Sequence, residues 1–203
     1  MKVVRRGTPV VVSAPSGAGK TTLSNRVLAR LPQVELSISY TTRQPRAGER
    51  DGIDYHFVDA ATFSGMVRDA AFLEWAEVHG NCYGTSLVET QARLQRGVDV
   101  LFVIDVQGGA QIAARLPEAV LVFVMAPTLA ILETRLRGRG SDSESAIARR
   151  LHVAGDEARQ ATHYTYWLVN DDLDEAVRDL EAILRAERLR RVDKEALLAS
   201  VLK

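Results

Sequence analysis

Residues 10–31 read VVVSAPSGAGKTTLSNRVLARL, and few stretches leave a chain so little freedom. Val10, Val11 and Val12 form a short β-branched run, the pattern of a buried strand, and it ends in a glycine-rich turn. After the turn, Leu23, Val27 and Leu31 recur four apart until Pro32, the pattern of a helix with one apolar face. Strand, glycine loop and helix in that order open a βαβ unit, whose next strand must lie parallel and whose sheet must be covered on both faces. Further apolar runs supply those strands: Val98 to Asp105, Ala119 to Ala126 with Pro127 behind it, and Tyr166 to Asn170. The fold class expected is α/β, a parallel sheet core between layers of helices.

The loop itself has a chemical meaning. Ala14 to Thr21 matches the Walker A spacing, with Ala14 in place of the usual first glycine. Gly17 and Gly19 permit backbone conformations that turn successive N–H groups toward one anion, and the helix N-terminus adds a favourable dipole. Lys20 is placed to reach β- and γ-phosphates, and the Thr21 hydroxyl to ligate Mg2+. Ala14, Pro15, Ser16, Gly17, Ala18, Gly19, Lys20, Thr21 and Thr22 are therefore the candidate ATP-binding loop; the bland alternative is a glycine turn with a stray lysine. Asp105 ends its apolar run as a Walker B-like carboxylate would, although a carboxylate there is also a common helix cap.

Composition narrows the partners. Lys plus Arg and Asp plus Glu both number 26 in 203 residues, which argues against a nucleic-acid coat or a polybasic membrane anchor. The single cysteine, Cys82, excludes an internal disulfide framework and fits a reducing compartment. The longest apolar run falls far short of a membrane span, and the N-terminal apolar stretch is too short for a signal peptide. The reading is a cytoplasmic protein with no nucleic-acid or membrane partner, its oligomeric state open between monomer and homodimer. His56, His79, His152 and His163 show neither metal spacing nor a triad, so packing or surface roles are expected for them.

Two segments fit the sheet pattern poorly. Residues 36 to about 90 mix short alternating pieces with polar turns, and residues 128 to about 158 are helical and rich in arginine. In the second, Ser141 followed by Glu144 reads as a capping box that restarts a helix. The long helix after Asn170 has acidic residues at its start, arginines at its end and a stripe of Leu173, Ala176, Val177, Leu180, Ile183 and Leu184. Phosphoryl transfer to a small molecule needs a second anion site opposite the glycine loop. SYTTRQPRAGERDGIDYHF, residues 39–57, is the candidate, because its three arginines and two tyrosines suit phosphate; an arginine-rich stretch alone is also what a solvated surface loop looks like.

Taken together, these segments resemble those of guanylate kinases (ATP:GMP phosphotransferases). SAPSGAGKT, SYTTRQPRAGERDGIDYHFV, FLEWAEVHGNCYGTS, IDVQGGAQ, RLRGRGSDSESAIARRL and VNDDLDEA follow the family's segments in order, over about residues 8 to 190. The resemblance implies a P-loop NTPase three-layer fold in a single domain. Its core would take about 8–35, 91–127 and 159–190, a GMP-binding insertion about 36–90, a helical lid about 128–158, and a last helix about 191–203. It implies that Arg43, Arg46, Tyr55 and Tyr83 grip the GMP phosphate, with Glu49 supporting the arginine loop. Ser39, Glu74 and Thr85 would read guanine, and Asp105 would lie at the acceptor site. Arg135, Arg139 and Arg150 of the lid would join Lys20 and Arg43 at the transferring phosphate, and Arg139 and Asn170 would border ATP. Arg137, on another face of the helix, is left to the surface.

Chemistry agrees with the base-reading roles. Guanine offers two donors, N1–H and the N2 amine, beside the acceptor O6. A carboxylate can accept from both donors while the Ser39 and Thr85 hydroxyls donate to O6. Adenine reverses that edge, and each group left unpaired costs about 1–3 kcal/mol. By residue pattern alone, however, a glutamate beside Phe72, Leu73 and Trp75 is as well the wet face of a helix. Two departures from the family stand out: Val103 replaces a frequent carboxylate, and Cys82 replaces an aromatic residue. Two other readings remain at this point, a P-loop kinase of another phosphorylated small molecule and a noncatalytic module that binds phosphorylated peptides. No Asn-Lys-x-Asp motif supports a regulatory GTPase.

Overall fold

The computed structural model describes residues 5–78, 80–138 and 143–202. Its centre is a five-stranded sheet with every neighbouring pair parallel. The strands are β1 (Pro9–Ser13), β2 (Val34–Leu36), β7 (Asp99–Val103), β8 (Val120–Met125) and β9 (Tyr166–Val169), in the order β2-β7-β1-β8-β9. Four of the five fall where apolar runs place them. β2, only three residues long and half exposed, gives no such signal.

Alternation along β1 explains the two cores. Val10 and Val12 point to one face, where Leu23 and Val27 of α1 (Lys20–Arg30) meet Ala176, Val177, Leu180 and Leu184 of α7 (Leu173–Arg190). Val11 points to the other, among Phe102, Phe123, Leu94 of α3 (Leu87–Gln95) and Ile112 of α4 (Val106–Arg115). All three valines are fully buried, as a strand covered on both sides requires. α7 keeps the expected stripe but begins at Leu173 with Asp172 as its cap, so Asn170 stands outside the helix.

A buried charge cluster ties this core to both flanks of the chain. Asp99, fully buried at the start of β7, accepts from the Arg5 guanidinium at 2.6 and 3.2 Å, from Arg188 Nε at 2.5 Å and from the Thr8 amide at 2.8 Å. An isolated charge in such a place is prohibitive, and the three donors offset its desolvation.

A second sheet, order β4-β3-β6-β5, gathers β3 (Tyr40–Thr41), β4 (His56–Phe57), β5 (Phe72–Val78) and β6 (Asn81–Ser86). FLEWAEV, which by residue pattern alone reads equally well as the wet face of a helix, is a strand. Its pairing with β6 slips between Phe72 and Glu74, a bulge that sets Glu74 directly across from Thr85. α2 (Ala60–Arg68) packs Phe63 on Phe72, and Gln111 of α4 exchanges two hydrogen bonds with the Trp75 backbone, fastening this sheet to the core.

α5 (Leu129–Arg137) and α6 (Glu144–Gln160) follow β8, and α8 (Lys194–Val201) ends the described chain. The helix restart expected at Ser141 is capped instead by Ser143, which accepts from the Ala146 amide at 3.3 Å; Ser141, Arg139 and His79 lie outside the described residues. Arg137 pairs with Glu133 and Glu144 on the exposed side, in keeping with its surface reading. No described helix is long and apolar enough to cross a membrane.

Candidate active site

Seven of the eight α-helices begin with an Asp, Ser or Thr side chain on a first-turn amide. α1 does not. Its N-cap is Gly19, at φ 92, with no side-chain bond and no acidic residue in the first turn. Gly17 shares that left-handed geometry at φ 94. The amides at this helix start are therefore left for an external anion.

Around them lies a cavity of about 380 Å3, lined by Ala14, Pro15, Ser16, Gly17, Gly19, Lys20, Thr21, Thr22, Asp105 and Glu157. Lys20 is partly buried. Desolvation lowers its pKa, against the opposing pull of Asp105 and Glu157, and Nζ donates to the Ile104 carbonyl at 2.8 Å. From α6, Arg150 Nη1 donates to Ser16 Oγ at 3.2 Å, so the arginine reaches the glycine loop. Arg135 stays at its margin, donating to the Asp171 carbonyl at 3.4 Å.

Asp105 does two things. Its Oδ1 accepts from the Gly108 amide at 2.9 Å, capping α4, and the residue also lines the phosphate cavity. The two sequence readings of this carboxylate are thus compatible, although β7 itself stops at Val103. Gly109 explains the glycine pair that follows, because a Cβ there would stand 2.2 Å from the Tyr164 hydroxyl. That hydroxyl donates to Ser13 Oγ at 2.8 Å, and Ser13 donates to the Asp105 carbonyl at 3.1 Å, bracing the ends of β1 and β7 together.

Asn170, expected to border ATP, sits behind the glycine loop. It is buried under the loop, its amide donating to the Ala18 carbonyl at 2.7 Å, and a Cβ on Gly19 would come within 2.4 Å of Nδ2. The asparagine thus braces the phosphate loop from behind, with one of its two amide N–H groups bonded to the loop backbone. Asn170→Ala should cost about 1–2 kcal/mol of stability in denaturant unfolding. An unchanged unfolding midpoint would remove that role.

The second anion site is built on the small sheet. Arg43 Nη2 donates to both oxygens of Glu49, at 2.8 and 3.0 Å, and Glu49 also accepts from the Arg46 amide at 2.8 Å. These bonds hold the Glu49 carboxyl below its ordinary pKa and the Arg43 guanidinium above its own. The guanidinium lies 5.3 Å from the Tyr55 ring centre, and Tyr55 meets Tyr83 edge-on at 6.0 Å. Arg43, Glu49, Tyr55 and Tyr83 are thus brought together, whereas the Arg46 side chain is exposed at the rim.

Ser39, Tyr55 and Thr85 line a smaller cavity with Asp54 and the β7 residues Phe102 and Val103, closed by Ile104. Beside Thr85 is Glu74, 7% exposed, whose Oε1 accepts from Thr85 Oγ1 at 2.6 Å. Burial raises the Glu74 pKa, the threonine bond partly offsets it, and Asp105 adds to the rise. The expected donation from Thr85 to guanine O6 needs correcting, since its single hydroxyl proton is committed to Glu74. Ser39, the other expected hydroxyl donor, lines the smaller cavity. Glu74 Oε2 faces Gly108, 3.4 Å from where a Cβ would stand, so the glycine leaves the carboxylate room.

One site residue gives no sequence signal. Glu157 looks like any carboxylate of a polar helix, flanked by Asp156, and only the packing of α6 turns it toward Lys20. Burial raises its pKa, Lys20 opposes the rise and Asp105 adds to it.

Ile104 and Asp105 are consecutive, yet one closes the smaller cavity and the other lines the larger. Two cavities sharing one wall at the carboxyl end of a parallel sheet, the larger lined by the glycine loop and its lysine and the smaller joined through Tyr55 to the arginine–tyrosine cluster, define a P-loop phosphotransferase. Comparison with known proteins narrows the class. Residues 6–187 match the guanylate kinase family. A guanylate kinase of Aromatoleum aromaticum is 53% identical over 184 residues, 91% of this chain and 90% of that protein. One of Syntrophotalea carbinolica is 47% identical over 95% of this chain and 92% of its own. The crystal structure of guanylate kinase from Anaplasma phagocytophilum superposes with a TM-score of 0.72 at 31% identity, covering 92% of this chain and 89% of that one. The chain belongs to the guanylate kinase family.

Proposed function

We propose that this chain transfers the γ-phosphoryl group of ATP to GMP, giving ADP and GDP, with Mg2+, in the cytoplasm. The observation that carries the reading is the shared wall. Lys20 lines the cavity framed by uncapped helix amides and is bonded to the carbonyl of Ile104, which lines the smaller cavity, and Tyr55 joins that smaller cavity to Arg43 and Tyr83. A noncatalytic binding module has no need of a lysine there. A kinase of a different small substrate has no need of a buried carboxylate beside Ser39 and Thr85.

The chemistry asked of the protein is positional. The α1 amides and Lys20 stabilise charge on the phosphates of ATP, and Arg135, Arg139 and Arg150 add positive charge from the α5–α6 segment. Arg43, Arg46, Tyr55 and Tyr83 hold the phosphate of GMP, which is ionised near neutral pH and attacks without a dedicated base. Glu74 accepts from guanine N1–H and N2, and Ser39 donates to O6. Movement of residues about 36–90 and 128–158 over the core would exclude water that otherwise hydrolyses ATP.

The donors near the phosphate cavity fit Mg2+. Among the described residues no group of three metal-binding side chains exists, and Thr21, Asp105 and Glu157 offer oxygen alone. Mg2+ is commonly held by one or two carboxylates together with substrate phosphates. Thr21 is the residue proposed to ligate it, and when bound it neutralises charge on the phosphate oxygens.

The test is ADP release from ATP with GMP, AMP, CMP and UMP offered in parallel. GMP should be turned over at least about a hundredfold more efficiently than AMP, from the unpaired groups adenine leaves. Equal rates with AMP, or no ADP release with any of the four, would overturn the reading.

A further inference from the structure

We propose that Glu157 is a positioning residue for the divalent cation that accompanies ATP, which makes α6 responsive to metal as well as to phosphate. The inference rests on the function proposed above and deepens it.

Among the described residues, three charged side chains line the larger cavity: Lys20, Asp105 and Glu157. Their formal sum is one negative charge, and a nucleoside triphosphate brings several more. A cavity meant for phosphate alone would gain nothing from a second carboxylate. Two carboxylates become useful when a cation stands between them and the phosphates, because the cation is then the largest local charge and reverses the sign of every neighbouring interaction. Asp105 is partly committed, since it caps α4.

Glu157 is not committed to the fold. Neighbouring carboxylates of the α5–α6 segment are paired, Glu144 with Arg137 and Asp156 with Arg159. The Glu157 carboxylate forms no hydrogen bond or ion pair among the described residues, yet the residue is partly buried and turned to the cavity. Its position on the helix is also informative. Arg150, Ala154 and Glu157 fall at spacings of four and three, one face of α6. Ala154 is buried, Arg150 touches Ser16, and Glu157 faces Lys20 and Asp105. One helix face therefore presents a cation to the glycine loop and, two turns on, an anion beside the lysine. Such a face matches a ligand carrying both signs, phosphate and metal.

The experiment compares the wild-type chain with Glu157→Gln and Glu157→Asp, using Mn2+ as a probe visible by electron paramagnetic resonance. ATP binding is measured by calorimetry in EDTA, and Mn2+ binding is then titrated at saturating ATP without GMP. In Glu157→Gln, affinity for Mn2+ should fall about tenfold, the lower end for an outer residue of a metal site, with metal-free ATP binding no weaker and the KM for GMP unchanged. Glu157→Asp, which keeps the charge, should recover part of the loss. Superimposable Mn2+ titrations would overturn the inference. So would equal losses of ATP affinity with and without metal, the mark of a packing role. Should the wild-type chain release no ADP with GMP, the proposed function fails instead, and the two failures are told apart.

Discussion

Lys20→Met is expected to lower kcat about a thousandfold while leaving thermal stability nearly unchanged. The first half follows from where the ammonium sits, at the wall between the two cavities, with a single hydrogen bond to the Ile104 carbonyl. When ATP enters, that ammonium can exchange a carbonyl for phosphate oxygens whose charge grows in the transition state. Removing one preorganised donor of this kind typically costs on the order of 10²–10³ in rate, and a full positive charge belongs at the upper end, about 4 kcal/mol. The second half follows from desolvation, which already disfavours the lysine's charge in the free protein. Methionine has similar length and gives up little packing. Steady-state ADP release and a thermal melt of the same preparation decide the matter. A kcat within tenfold of wild type would rule out Lys20 as a contact of the transferring group.

The second large effect concerns base choice. In Glu74→Gln, the Thr85 hydroxyl can still donate to the amide oxygen, so the local fold should hold. The other side-chain atom becomes an NH2 facing two guanine donors. Two lost acceptor contacts at about 1–3 kcal/mol each lower kcat/KM for GMP on the order of a thousandfold. The KM for ATP should stay put. Because burial disfavours the Glu74 charge, the neutral glutamine should melt no lower than the wild type. The measurement is kcat/KM for GMP and AMP in both proteins; an unchanged GMP-to-AMP ratio would exclude Glu74 as the base reader.

Local patterns made some of this legible and geometry hid the rest. The β1–loop–α1 unit could be read because each of its parts carries its own signal: β-branched residues, glycines at positive φ, apolar residues four apart. α7 was legible for the same reason, since its stripe and charge bias repeat over 18 residues. β2 was not, because three residues cannot show a period. Glu74 had the right residue type, but its orientation comes from a pairing slip opposite Thr85, a relation between two strands that neither encodes alone. Asn170 lay in a matched motif, yet its buried bond to the Ala18 carbonyl joins residues 152 positions apart. Glu157 and Asp99 had no motif at all. Their meaning comes from what packs against them.

Asp99 also bears on the order in which the molecule assembles. Its two guanidinium partners, Arg5 and Arg188, are 94 and 89 residues away in opposite directions. A growing polypeptide that has emitted β1, α1 and β7 therefore carries a carboxylate it can bury only with half its counter-charge. Completing the central sheet is costly until α7 has left the ribosome and docked. Nascent chains cut before Arg188 should accordingly remain open to proteases and unable to retain nucleotide, however intact their glycine loop.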